Sequence, residues 1–111
     1  MKAVEINKTG GPEVLELKDI TLDKPEPDEV TIEQKAIGLN YIDTYHRSGL
    51  YPLTLPIGLG LEGAGIITDL GENVKDFKIG DKISYAGIPL GSYSTHRNYP
   101  TKKSCKSARW Y

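Results

Sequence analysis

A single cysteine, Cys105, stands in the 111 residues. One thiol closes no internal disulfide and builds no cysteine-rich zinc site, and it points to a reducing, cytoplasmic compartment. No apolar run approaches the ~20 residues that a membrane helix needs. Charged and apolar residues alternate from Lys2 to Lys8, which is not the pattern of a secretory signal. There is no internal repeat and no low-complexity tract. Hydrophobic residues make up 38%, charged residues 26% and the net charge is -1, which describes a water-soluble globular chain, neither membrane-bound nor disordered. Length allows one domain with one modest core.

What is present is punctuation. The 12 glycines and 7 prolines are spread along the chain and cut it into short runs. Residues 3–7 alternate and predict a strand, followed by a turn at Thr9-Gly10-Gly11-Pro12 and a second strand over 14–19. Pro25 and Pro27 then hold a charged loop open. Residues 29–39 predict a long strand with Val30, Ile32, Gln34, Ala36 and Gly38 on one face. At Asn40 the period changes. Asn40 is placed to cap a helix, Asp43 lies in its first turn, Tyr41 and Tyr45 share a face, and Gly49 supplies a left-handed stop. This predicts a two-turn helix over 40–48. Further strands are expected at 66–70, 82–86 and 92–99, with Tyr85, Tyr93 and Tyr99 in the wall. Tyr41 is expected in the core, and His46 and His96 near the surface. Mostly strands, one short helix and no βαβ alternation predict a mainly β chain, a partly open antiparallel barrel.

The charge is uneven. Residues 1–101 carry a net -5, whereas residues 102–111 hold four basic groups and no acid. Cys105 and the only tryptophan, Trp110, also lie in this stretch, which is expected to be solvated and disordered; Cys105 there is not expected to act as a nucleophile.

Gly58-Leu59-Gly60-Leu61-Glu62-Gly63 is a literal G-x-G-x-x-G, and Asp81 follows 18 residues after Gly63. A dinucleotide fingerprint needs a strand before the motif and a helix after it, whose N-terminus holds the pyrophosphate. Here Ala64-Gly65-Ile66-Ile67-Thr68 follows, a strand composition. The glycines are therefore expected to let backbones cross closely.

Ala36-Ile37-Gly38-Leu39-Asn40-Tyr41-Ile42-Asp43-Thr44-Tyr45-His46-Arg47-Ser48-Gly49-Leu50-Tyr51-Pro52 resembles a stretch of the zeta-crystallin-like NADPH:quinone oxidoreductases. These form a zinc-free branch of the medium-chain dehydrogenase/reductase family. Leu55–Ile67, Gly71–Ile83 and Leu90–Ser94 continue the likeness, which covers about residues 1–100. It implies a GroES-like fold, residues 1–101 being the N-terminal part of a catalytic domain, and a function in hydride transfer from NADPH to a quinone without a metal. In zinc-containing members a Cys stands in the place of Asn40 and a His in that of Leu61. Neither an amide nor an alkyl chain replaces those ligands at a tetrahedral zinc, and Glu62 alone is not a site, so no metal is expected. By the same resemblance Asn40 and Tyr45 contact the nicotinamide–ribose end of NADPH, and Tyr45 and Tyr51 line the quinone pocket. Asn40, Tyr45 and Tyr51 are thus the expected catalytic residues, while Asp43 and Glu62 orient their neighbours. For Asn40 and Asp43, helix capping stands beside the catalytic role.

The resemblance also implies a Rossmann domain that these 111 residues do not contain, so the isolated polypeptide is expected to bind NADPH poorly and to be inactive. Lys102–Tyr111 departs from the family pattern and reads as translation in a shifted frame, with a variant tail or an artificial chain end as alternatives. Two other readings compete. One is a co-chaperonin or similar binding module, which would need a mobile partner-binding loop. The other is a nucleic-acid module built on the basic tail, which the -5 body opposes. No nucleic-acid or membrane partner is expected. Apolar surface left uncovered would favour self-association.

Overall fold

In the computed structural model, which describes residues 1–106, the chain runs β1 (Lys2–Ile6), β2 (Glu16–Asp19), β3 (Glu29–Ile37), α1 (Ile42–Ser48), β4 (Ile57–Gly58), β5 (Glu62–Leu70), β6 (Lys82–Ala86), β7 (His96–Pro100) and β8 (Ser104–Lys106). One sheet has the order β2-β1-β4 and the other β7-β3-β5-β6-β8. All pairings are antiparallel. A bridge between Ala3 and Ser94 links β1 to the segment just before β7, and the Val4 N–H donates to the Tyr93 carbonyl at 2.8 Å. The described strands do not close into a barrel. The mainly β, open architecture expected from the alternating runs is the one found.

β3 is the spine. Val30 and Ile32 point inward with Ile67 of β5, Ile83 and Tyr85 of β6, and Tyr99 of β7, and together they form the main core. Burial of each such aliphatic side chain contributes roughly 1.5–3 kcal/mol, so this cluster is the centre of stability. A smaller cluster of Ile6, Val14 and Leu59 lies under the other sheet. Alternation along β3 breaks at Thr31, which is also buried because its hydroxyl donates to Asn98 Oδ1 at 2.6 Å.

Several boundaries differ from the sequence reading. β5 begins at Glu62 and not Ile66, so Gly63 lies inside a strand and no helix follows it. The dinucleotide fingerprint is thereby excluded. β7 begins at His96 and not Ser92, because the Ser94 N–H turns back to the Ser92 carbonyl at 2.8 Å. Residues 104–106 are not a solvated tail. They pair with β6, Tyr85 opposite Ser104 and Ile83 opposite Lys106, which satisfies the outer edge of that strand. The expectations for the Cys105 thiol, Trp110 and Tyr111 lie outside the described residues and side chains.

No helix among the described residues is long and apolar enough to cross a membrane. Tyr85 and Tyr99 stack with centroids 4.1 Å apart, and the buried Arg97 guanidinium lies over both rings, 5.1 and 4.7 Å from their centroids. Wall positions were expected for both tyrosines. The cation on them was not.

Candidate active-site wall

The helix starts later than Asn40 and is capped in another way. Tyr41 occupies the N-cap position in helical backbone geometry, and no side chain caps it. The Asn40 N–H instead donates to Asp43 Oδ2 at 3.1 Å, while the Asp43 N–H donates to the Asn40 carbonyl at 3.0 Å. The capping role expected of the Asn40 side chain thus falls to the Asp43 carboxylate, which reaches backwards. No described side chain takes up the Asn40 carboxamide. At the other end Gly49, with φ +89°, turns the chain so that its N–H meets the Tyr45 carbonyl at 3.1 Å.

That turn folds residues 50–52 back over the helix. The Tyr51 N–H donates to the Tyr45 carbonyl at 3.4 Å, and the Tyr51 ring stands edge-on to Tyr45, centroids 5.6 Å apart at 87°. Tyr41 meets Tyr45 from the other side at 5.5 Å. The three tyrosines form a row along the outer face of α1. Tyr41 is 77% exposed, which corrects the expectation of a core position. A seven-residue helix has one inward side, and Asp43 and His46, three apart, occupy it. For the same reason His46 is buried and not near the surface; its Nδ1 has no hydrogen-bond partner among the described residues, and its ring stands 6.3 Å from that of Tyr51. His96 is half-buried on β7, with Nε2 3.8 Å from Glu33.

Asp43 is only 3% exposed. Its Oδ2 accepts a second, very short hydrogen bond from the Tyr93 hydroxyl, and its Oδ1 is buried without a partner among the described residues. Burial pushes the Tyr93 phenol well above its ordinary range, and the hydrogen bond to Asp43 and the charge beside it push the same way. Tyr93 therefore stays a donor across the neutral range. Its segment is fixed by Gln34, whose amide nitrogen donates to the Ser92 and Ser94 carbonyls at 2.7 and 3.0 Å. Gly60 passes beneath: at φ +100° it has no side chain to meet Tyr93 Cδ1, which would lie 2.6 Å from a Cβ there.

Of the residues singled out in the sequence, Asn40, Asp43, Tyr45 and Tyr51 come together on and around α1. Glu62 sits at the start of β5, exposed, lying across Gly38, whose N–H donates to the Glu62 carbonyl at 3.1 Å. Among the described residues no group of three His, Cys, Asp or Glu is arranged to hold a metal ion. The sequence reading missed Tyr93, Gln34 and Arg97. Their partners lie far along the chain, and no local spacing signals them.

Comparison with known proteins identifies the fold. The profile of the alcohol dehydrogenase GroES-like domain matches residues 26–108. A quinone oxidoreductase of Pseudomonas aeruginosa is 53% identical over 94 residues, covering 84% of this chain and 29% of the relative. The crystal structure of the Escherichia coli quinone oxidoreductase complexed with NADPH superposes with a TM-score of 0.93 at 47% identity, over 96% of this chain and 33% of that one. A 2-haloacrylate reductase of a Burkholderia species is 38% identical over 108 residues, covering 94% of this chain and 32% of the relative. The chain therefore spans about a third of the length of these relatives. Over the residues it has, it belongs to the alcohol dehydrogenase GroES-like domain family.

Proposed function

We propose that this chain forms the substrate-side wall of an NADPH-dependent quinone reductase, residues 1–101 being the N-terminal part of its catalytic domain. The observation that carries the reading is the edge-on pair of Tyr45, on α1, and Tyr51, in the turn that follows it, close to Asn40 just before the helix, in a chain similar to named quinone oxidoreductases. NADPH, when bound, supplies the hydride. Asn40 offers a carboxamide that no described side chain occupies, and with Tyr45 it would hold the nicotinamide–ribose end. The rings of Tyr45 and Tyr51 present an apolar edge and face to a planar quinone, and their hydroxyls can donate to its oxygen as charge develops there. Orientation and exclusion of water are then the protein's contributions. A quinone accepts hydride without a metal to polarise it, which fits an amide and an alkyl chain at positions 40 and 61.

A cytoplasmic setting fits the lone cysteine. Neither nucleic acid nor membrane is a partner in this reading, since the body of the chain is acidic. The exposed Leu39, Tyr41, Leu50 and Tyr51 favour self-association of the isolated polypeptide.

The test is a graft. Residues 1–100 replace the matching segment of the Escherichia coli quinone oxidoreductase, and NADPH oxidation is followed with a naphthoquinone and with a haloacrylate. Quinone-dependent oxidation is expected. A folded graft that oxidises NADPH only with the haloacrylate would move the substrate class to activated alkenes, and one inactive with both would overturn the proposal.

A further inference from the structure

We infer that Tyr93 is a positioning residue for Asn40 and acts on it through Asp43. The inference rests on the reading of Asn40 as a cofactor-contacting group, but its first test does not. Tyr93 is a fixed post. Its N–H donates to the Leu59 carbonyl at 3.0 Å, its carbonyl accepts from Val4 at 2.8 Å, and Gln34 clamps the residues on either side. Asn40 is the reverse. It lies between β3 and α1, outside any element, flanked by Leu39 at 83% and Tyr41 at 77% exposure. The described hydrogen bonds of its backbone both go to Asp43.

The Asp43 carboxylate joins the two. Its Oδ2 is shared between the Asn40 N–H and the Tyr93 hydroxyl, and its Oδ1 has no partner among the described residues. Tyr93 is thus the one side-chain donor the carboxylate has among the described residues. A buried carboxylate held by two donors on one oxygen has a fixed orientation; with one donor removed it turns to seek another. Asn40 would then lose its anchor. The ring of Tyr93 packs against the Ile6, Val14 and Leu59 cluster, so packing and positioning reside in different atoms of the same side chain. Tyr93→Phe separates them.

Hydrogen exchange on the 111-residue polypeptide, resolved by residue, tests this directly. In Tyr93→Phe the Asn40 amide should exchange about tenfold faster or more, with Ile32 and Ile67 in the strand core unchanged. Asp43→Asn should act on Asn40 in the same way, and the double variant should add nothing further. An unchanged Asn40, or all three amides accelerating together, would overturn the inference. In the graft, Tyr93→Phe should lower kcat and leave the quinone KM unchanged, and that loss should vanish in an Asn40→Ala background. A loss that persists there also overturns it. An inactive graft defeats the quinone reading alone, and the exchange result still decides the role of Tyr93.

Discussion

The Tyr85 hydroxyl donates to Gln34 Oε1 at 2.6 Å, across the face of β5 that Gly63 leaves bare. Through this contact the core reaches the site. Gln34 turns its amide nitrogen to the Ser92 and Ser94 carbonyls, and the segment so held carries Tyr93 to Asp43. Tyr85 is in turn locked by stacking on Tyr99 and by the Arg97 guanidinium, whose Nη2 donates to the Pro89 carbonyl at 3.0 Å. The elements on this route come from β3, β6, β7 and the turn before β7.

Tyr85→Phe keeps the stack and removes the hydroxyl. It leaves Gln34 Oε1 half-buried without its donor, at a cost of about 1–3 kcal/mol. Urea denaturation should show a lowered midpoint with an unchanged slope. A variant as stable as the parent would mean that the Gln34 amide finds water in place of the phenol.

Alkaline conditions should weaken the fold through the buried phenols. Burial raises the pKa of Tyr85, Tyr93 and Tyr99 above the ordinary 10.0, with Arg97 opposing the shift at Tyr85 and Tyr99. Below the ordinary value folded and unfolded chains both keep these protons, so stability is flat. Above it the unfolded chain releases protons first, and stability falls as pH rises towards the folded values. Urea midpoints measured upward from neutral pH should fall beyond about pH 10, and less steeply in Tyr93→Phe than in the parent. Equal alkaline slopes in the two proteins would contradict the assignment.

Gly60→Ala places a methyl against Ser92 Oγ and the Tyr93 ring and forces a side chain into φ +100°. Backbone strain of this kind costs about 1–3 kcal/mol, and the clash adds to it. The loss should appear in denaturation, together with quenching of the Asn40 amide protection that depends on Tyr93. Wild-type stability in this variant would show that residues 58–60 shift freely.

How much of this was legible follows the range of each interaction. Most strands are legible because alternation is local, and β6 has the bounds 82–86 that the sequence predicts, whereas the short β4 and β8 alternate too little to be read. The failed fingerprint was legible too, since only a strand composition follows Gly63. Asn40, Asp43 and Tyr45 lie within six residues of one another, so their spacing could be read. The cap was misassigned because asparagine and aspartate are both good caps, and which one turns inward depends on Tyr93, fifty residues away. His46 and Tyr41 were exchanged for a related reason. Helical spacing gives which residues share a face, not which face is buried, and a buried aspartate drew the helix round so that the tyrosines point out.

These 111 residues should bind NADPH with no better than millimolar affinity. A dinucleotide site needs a helix N-terminus above a glycine turn, and the G-x-G-x-x-G here runs into β5. In the proposed reading, Asn40 and Tyr45 meet one end of the cofactor only. Titration followed by NADPH fluorescence should show no saturation at micromolar concentrations. A micromolar dissociation constant would require a phosphate cradle that the described residues do not provide.

Tyr51→Phe in the grafted enzyme isolates the phenol from the ring. The ring keeps its edge contact with Tyr45 and its place beside His46, so quinone KM should change less than twofold. If the hydroxyl donates to the quinone oxygen during hydride transfer, its loss should lower kcat. Removal of a preorganised donor in a dry site costs about a hundredfold or more, but Tyr51 is half exposed here and water can substitute in part, so about tenfold is expected. Tyr45→Phe, on a ring covered by neighbours on both sides, should cost more than Tyr51→Phe. A Tyr51 variant with raised KM and unchanged kcat would make the residue a wall of the pocket only, and the developing charge would then have to be met by Tyr45 or by solvent.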